Sequence, residues 1–425
     1  MRGLNAGLGV ALIAAMLAGC GGGDSTQTEQ STPNTPGEQL PPSTPQKPER
    51  KSFDPPKVFE KTDAKFKLPS FNDNEVPTVT LHDGNLYAVS DKGVVGLDGL
   101  TGEEMWVSPV TTANPTAAPP TDTPAPFVYK DRLYAAVNGR KPAQGTTPAS
   151  PQIQVLAVDL KTGKKDWSTT IDIDMGNQSS TGDGKPTVVG VTDTSVVVSY
   201  FVSSASIGRS FAIDASSHQV RWTKDQFLAA EVDSGIVVGN GGKPLISEAR
   251  SIVGLAEADG AQKWSTDIGG YPSNLMAISP KLVASSRKIY SNGDHQFDII
   301  DVTTGKPLVS KTTDVPTTSN YSVACFYDQQ SLIVCDAKGE HTFAYDVNNV
   351  GATPLWEIKE GADRVAPTVT AVYHGMVYGH GASEPVALDG KTGKDAPDAP
   401  GVAPALIDKY LAVDVRKQIS YKAIK

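Results

Sequence analysis

The sequence is short of positive charge, long apolar runs and cysteine. Asp and Glu (47) outnumber Lys and Arg (38) in 425 residues, for a formal net charge of −9. This balance argues against a nucleic-acid-binding protein, which carries a basic face. Beyond the extreme N-terminus no apolar run reaches 18 residues, so the body of the chain offers no candidate membrane-spanning helix. The three Cys stand apart from one another. No G-x-S-x-G, Walker-type loop or dinucleotide fingerprint occurs, which removes the commonest local signatures of hydrolases, nucleotidases and dehydrogenases. Gly (40) and Pro (31) are abundant, and the length suits either several ordinary domains or one large β architecture.

Residues 1–20 read MRGLNAGLGVALIAAMLAGC: one Arg, an apolar core from Leu8 to Ala18, then small residues ahead of Cys20. That layout is a secretory signal. Leu17-Ala18-Gly19-Cys20 resembles the lipobox of bacterial lipoproteins, which implies a signal peptide over 1–19 and a lipid on Cys20. The other readings are an ordinary signal peptide or a short anchor with an incidental Cys. Several acyl chains on one residue give stable membrane attachment. Residues 21–56 hold eight Pro with many Ser, Thr, Gln and Gly, a composition that cannot bury enough apolar surface to order itself. The expectation is a disordered tether over 20–56, extending on the order of 100 Å as polyproline II.

From residue 57 onward the chain repeats itself. GLDGLTGEEMW ends at Trp106, AVDLKTGKKDW at Trp167, AIDASSHQVRW at Trp222 and GLAEADGAQKW at Trp264. IIDVTTGKPLV places Val309 at the Trp position, AYDVNNVGATPLW ends at Trp356 after two extra residues, and ALDGKTGKDAP places Pro397 there. All five Trp of the protein fall on this one position. The Asp positions are Asp98, Asp159, Asp214, Asp301, Asp346 and Asp389, with Ala256 in the fourth copy, and successive spacings run from 61 to 42 residues. Short strands at such a period are the signature of a β-propeller. The Asp is suited to accept turn N–H groups, and Gly102, Gly163, Gly260, Gly305 and Gly393 to close the turn at positive φ. The Trp is suited to the seam between blades.

Residues 403–425 resemble the first three strands of another unit, and residues 57–68 an unpaired strand. The economical solution is an all-β, eight-bladed propeller of four-stranded antiparallel blades over 57–425, closed by the N-terminal strand. A seven-bladed ring is the alternative. Closure removes two sheet edges. Pro109–Pro126 and Asn138–Gln152, rich in Pro, Thr and Ala, read as long loops on one rim.

The repeat A-x-D-x-x-T-G-x-x-x-W resembles the tryptophan-docking repeat of the pyrroloquinoline-quinone-like propellers, over roughly residues 57–425. That family includes quinoprotein alcohol dehydrogenases and the propeller lipoprotein of the β-barrel assembly machinery. The dehydrogenases imply an adjacent-Cys pair, a metal and a catalytic Asp. This chain has no adjacent Cys, and no motif places the others.

Cys325 and Cys335 flank a polar turn near Gln330, and a hairpin there sets them opposite one another as a disulfide, with two free thiols as the alternative. Ser285-x-x-Lys288 with two K-T-G triplets imitates a penicillin-binding signature, but the triplets are the repeat turn. Asp172, Asp174 and Asp183 are spaced as in a calcium loop, yet Asn177 replaces the required Gly. The six His show no ligand spacing. The sequence therefore nominates no catalytic, cofactor-binding or metal residue. It points to an exported, lipid-anchored, monomeric scaffold on the outer face of the bacterial cytoplasmic membrane, binding envelope or surface proteins and touching the membrane only through its anchor. A sensor or carrier for a sugar or cell-wall fragment, and an atypical quinoprotein, are the alternatives.

Overall fold

A computed structural model describes residues 49–66, 78–110, 124–147, 149–174, 184–202, 207–242, 251–267, 270–289, 295–313, 323–351, 353–361 and 364–425. Eight antiparallel sheets follow one another along the chain, so the ring has eight blades rather than seven. Blades 1 to 7 begin at Val79, Phe127, Lys185, Phe227, Gly270, Ala324 and Thr368 respectively. Among the described residues there is no α-helix, only a 3-10 turn at Val347–Asn349.

Each blade is a meander. In blade 1, Val79–His82 pairs with Asn85–Ser90, which pairs with Gly93–Asp98, which pairs with Glu104–Ser108. Asp83 and Gly84, at φ 49° and 74°, form the two-residue turn that the strand twist favours. First strands pack against one another around the centre, from Val79–His82 through to Leu406–Ile407, which touches Val79–His82 again. The ring is closed.

The eighth blade joins the two ends of the chain. Phe59–Lys61 pairs antiparallel with Ile419–Ala423, Phe59 opposite Ala423 and Lys61 opposite Tyr421. The backbone bonds Lys57 N–H to Lys425 O (2.6 Å) and Ile424 N–H to Val58 O (3.0 Å) extend the pairing.

Two details differ from expectation. The seventh blade has three strands, not four: after Pro385–Asp389 only an isolated bridge, Leu388 to Asp395, stands where the fourth would be. Pro397 and Pro400 lack the N–H donors a ladder needs. And Asn138–Gln152 is mostly not loop. It prolongs the central hairpin of blade 2, Arg132–Lys141 with Ser150–Asp159, whose paired backbone satisfies itself. Most of Pro109–Pro126 lies outside the described residues.

The apolar core is divided among the seams. Eight buried clusters correspond to the eight blade-to-blade contacts, for example Val197, Ala212, Val237 and Leu255 between blades 3 and 4. Side chains alternate along each strand, so both faces of every blade are apolar and each is covered by a neighbour.

Candidate functional site

The repeat residues build the seams. Asp159 accepts from Thr162 N–H (2.8 Å) and Thr162 Oγ1 (2.6 Å), and Gly163 N–H bonds back to Asp159 O (2.9 Å). The same turn recurs at Asp301 with Thr304, at Asp389 with Thr392 and at Asp98 with Leu100 and Thr101. Asp346 accepts from Asn348 N–H. At Asp214 the donors are Ser216 and Ser217. These bonds to the carboxylate hold Asp159, Asp214 and Asp389 below the usual carboxylate range. Ala256 provides no carboxylate, yet Gly260 N–H still bonds to Ala256 O (2.9 Å).

Each Trp reaches into the next blade and lies on that turn. Trp106 Nε1 donates to Leu160 O (3.1 Å) and its ring covers Gly163. Trp222 does the same with Glu257 O and Gly260, Trp264 with Val302 O and Gly305, Trp356 with Gly390 O and Gly393. Trp167 meets His218 instead, which takes the turn position at φ 59° and stacks 4.5 Å from the indole. The seam after Val309 has no indole; there Lys311 Nζ sits 5.4 and 5.5 Å from the ring centres of Phe343 and Tyr345. Ala64 and Phe66 fill the seam between blades 8 and 1.

The other sequence candidates fall as follows. Cys325 and Cys335 are directly opposite and joined, Sγ–Sγ 2.08 Å. Ser285 is buried on the strand Leu282–Ile289, near Arg287, whose guanidinium pairs with the buried Asp298. Asp172 is bonded to Lys141 and Gln152 (2.8 and 2.6 Å), while Asp183 lies outside the described residues. Among those residues no group of three or more His, Cys, Asp or Glu is placed to hold a metal ion. His374 pairs with Asp54. Cys20 lies outside the described residues.

What the sequence does not reveal is the dressing of the closing blade. Residues 49–56, read above as the end of a tether, lie across the first turns of blades 7, 8 and 1. Arg50 bonds to Asp83 O (2.9 Å), Asn85 Oδ1 (2.6 Å) and the buried Asp98 (2.9 Å). Phe53 N–H bonds to Lys409 O (2.8 Å), Asp54 to His374, and Pro56 O accepts from Tyr378 OH. Specific polar partners, together with Phe53 packed against the apolar cluster between blades 7 and 8, order this stretch. Two recesses flank blade 8. One, beside the strap, is lined by Arg50, Phe53, Leu100, Tyr410 and Ile424; the other, at the opposite end of the closing strand, by Lys61, Lys65, Phe66, Arg416 and Lys417.

First turns of neighbouring blades are stitched together by carboxylates. Asp408 accepts from Tyr410 and Leu411 N–H in its own turn and from Gly84 N–H (2.6 Å) in blade 1. Asp328 holds Gln330, Ser331 and Leu332 N–H and reaches Gly375 N–H (3.0 Å) in blade 7. Burial raises Asp408 above the usual carboxylate range. Nothing in the repeat pattern singles out these residues.

Residues 62–240 match the family model of the outer membrane protein assembly factor BamB, a PQQ-type repeat model. No curated protein matches the sequence. Solved structures similar to this chain include BamB from Moraxella catarrhalis, at 16% identity over 75% of this chain and 86% of that one, TM-score 0.41. A quinohemoprotein alcohol dehydrogenase from Pseudomonas putida HK5 aligns at 14% identity over 87% and 76%, TM-score 0.44. The quinohemoprotein alcohol dehydrogenase of Comamonas testosteroni aligns at 15% identity over 82% and 69%, TM-score 0.44.

Proposed function

We propose that this PQQ-like repeat propeller is an exported, lipid-anchored, non-enzymatic scaffold that binds other proteins at the bacterial cell envelope. The observation that carries the reading is the match of residues 62–240 to an outer membrane protein assembly factor. The lipobox-like stretch ending at Cys20 and the Pro-rich segment after it support a propeller anchored to the membrane through a spacer. A ring of packed blades is a rigid frame on which loops can be presented for recognition. The strap occupies the end of the ring that bears the first turns, and this favours the other end, with the long hairpin around Lys141 and Ser150, as the binding face.

Crosslinking on intact cells, with this chain as bait and a Cys20→Ser control, tests the reading by mass spectrometry. Recurrent envelope proteins that disappear in the control are the expected result. A bait with no partner above background overturns it.

A further inference from the structure

We propose that the recess at the far end of the closing strand is a binding site for phosphate groups, two or more at once. It is lined by Lys61, Lys65, Arg416 and Lys417 against a single carboxylate, Asp63, in a protein whose net charge is −9. The two pairs of cations are some 350 positions apart in sequence and meet because residues 59–61 close the ring against Ile419–Ala423.

Both walls are fixed before any ligand arrives. On one side the chain alternates: Ala64 and Phe66 are buried in the seam with blade 1, while Lys61, Asp63 and Lys65 are exposed. Thr62 N–H bonds to Ser420 O (3.0 Å), pinning the start of this stretch to blade 8. On the other side a tight turn presents Arg416 and Lys417. Its geometry is set by Gln418 at φ 55° and by Lys417 N–H bonded to Asp414 Oδ1 (3.1 Å). Lys417 Nζ lies 3.0 Å from Asp414, which offsets part of its charge. Among the described residues no carboxylate pairs with Lys61 or Lys65.

Four cations line this recess with one carboxylate, and a concave site with an excess of one sign concentrates counter-ions. Lys binds phosphate oxygens as a compact point charge, without needing the bidentate geometry of Arg. Protein interfaces, in contrast, are depleted of Lys and enriched in aromatics, and the one aromatic ring here, Phe66, is buried. The lining therefore favours phosphate over an acidic protein surface. The phosphates come either from a soluble ligand or from lipid headgroups.

The test measures binding of pyrophosphate, and separately of phosphatidylglycerol/phosphatidylcholine vesicles against phosphatidylcholine alone, to the full chain in the Cys20→Ser background. Two recess variants, Lys61→Glu/Lys65→Glu and Arg416→Glu/Lys417→Glu, are compared with Lys161→Glu/Lys164→Glu, an equal charge change on the exposed turn of blade 2. Binding that weakens with salt and falls at least about tenfold in either folded recess variant, as expected for two lost charge-assisted contacts, supports the site. Pyrophosphate alone then identifies a soluble ligand, and phosphatidylglycerol vesicles alone a headgroup. Equal binding by recess and control variants, or no low-salt binding to either probe, overturns it.

Discussion

At the scale of single residues the docking turn is the point of greatest sensitivity. Gly163 has φ 68°, and a Cβ there would overlap the Trp106 ring. Gly235 has φ 76° with nothing within 4 Å of a Cβ. Gly235→Ala therefore costs backbone strain alone, about 1 kcal/mol. Gly163→Ala adds overpacking against the indole, for a total of roughly 2–4 kcal/mol. Denaturant unfolding of the two variants checks the difference, and equal losses contradict the docking role of Trp106. A second residue effect is electrostatic. Glu231, on the first strand of blade 4, accepts from Val232 N–H, but burial pushes its carboxyl up to about 7. Asp336 is pushed up to about 6 by the same cause, although Gly339 and Val369 N–H groups bond to it. A carboxyl whose folded pKa is raised contributes stability that is complete below its unfolded value near 4 and is lost as pH rises through the folded value. The ring should therefore lose stability between about pH 4 and pH 7, with the loss levelling off above. Glu231→Gln should remove the Glu231 share of that loss, which accumulates as pH rises towards about 7 and is on the order of 3 kcal/mol. Thermal melts across that range decide it; a variant as pH-dependent as the parent refutes the assignment.

At the scale of elements the strap and the closing strand carry the argument. Arg50 neutralises Asp98, a repeat carboxylate that is 2% exposed. Arg50→Ala removes the cation from that buried carboxylate, which still accepts from Leu100 and Thr101 N–H, at a cost of about 2–3 kcal/mol. The measurement is a denaturant midpoint beside that of Lys92→Ala. Lys92 makes an exposed ion pair with Glu104 (3.2 Å), so its loss should be near zero. A null effect of Arg50→Ala sinks the strap as a structural element. The strap was not legible in the sequence because its order comes from Arg50, Asp54 and the carbonyl of Pro56 finding partners more than 30 positions away, whereas composition reports only local apolar content. The blade elements were legible because each repeats the same local chemistry: the Asp-centred turn, the closing Gly and the register of Trp. The prolonged hairpin of blade 2 is hidden in the sequence because Pro142, Pro148 and Pro151 read as loop. Pro151 sits within the paired strand opposite Arg140, and the strand tolerates it there. The cation recess escaped for the same reason as the strap: Lys61 and Arg416 become neighbours only on closure.

At the scale of the whole molecule stability is a ring of nearest-neighbour terms. Among the described residues each of the eight buried clusters belongs to one seam and would be half exposed if its neighbour blade were missing. Such a chain gains cooperativity only when the last seam forms, since an open ring has two blades with one bare face each. Here the last seam depends on three residues, Phe59–Lys61, on Phe66 and Ala64 behind them, and on Ser420, whose hydroxyl bonds to Thr62 and to Gly99 O (2.6 Å). A chain beginning at Glu49 keeps all of these and should melt in one transition close to that of the full chain. A chain beginning at Thr62 lacks the closing strand and leaves Ile419–Ala423 as a bare edge beside a partly opened seam. Bare edges recruit other chains, so this variant should melt lower, over a broader range, and elute as oligomers in size-exclusion chromatography. If it stays monomeric with an unchanged melt, the packed first strands hold the ring without the N-terminal strand, and closure by the chain ends is dispensable.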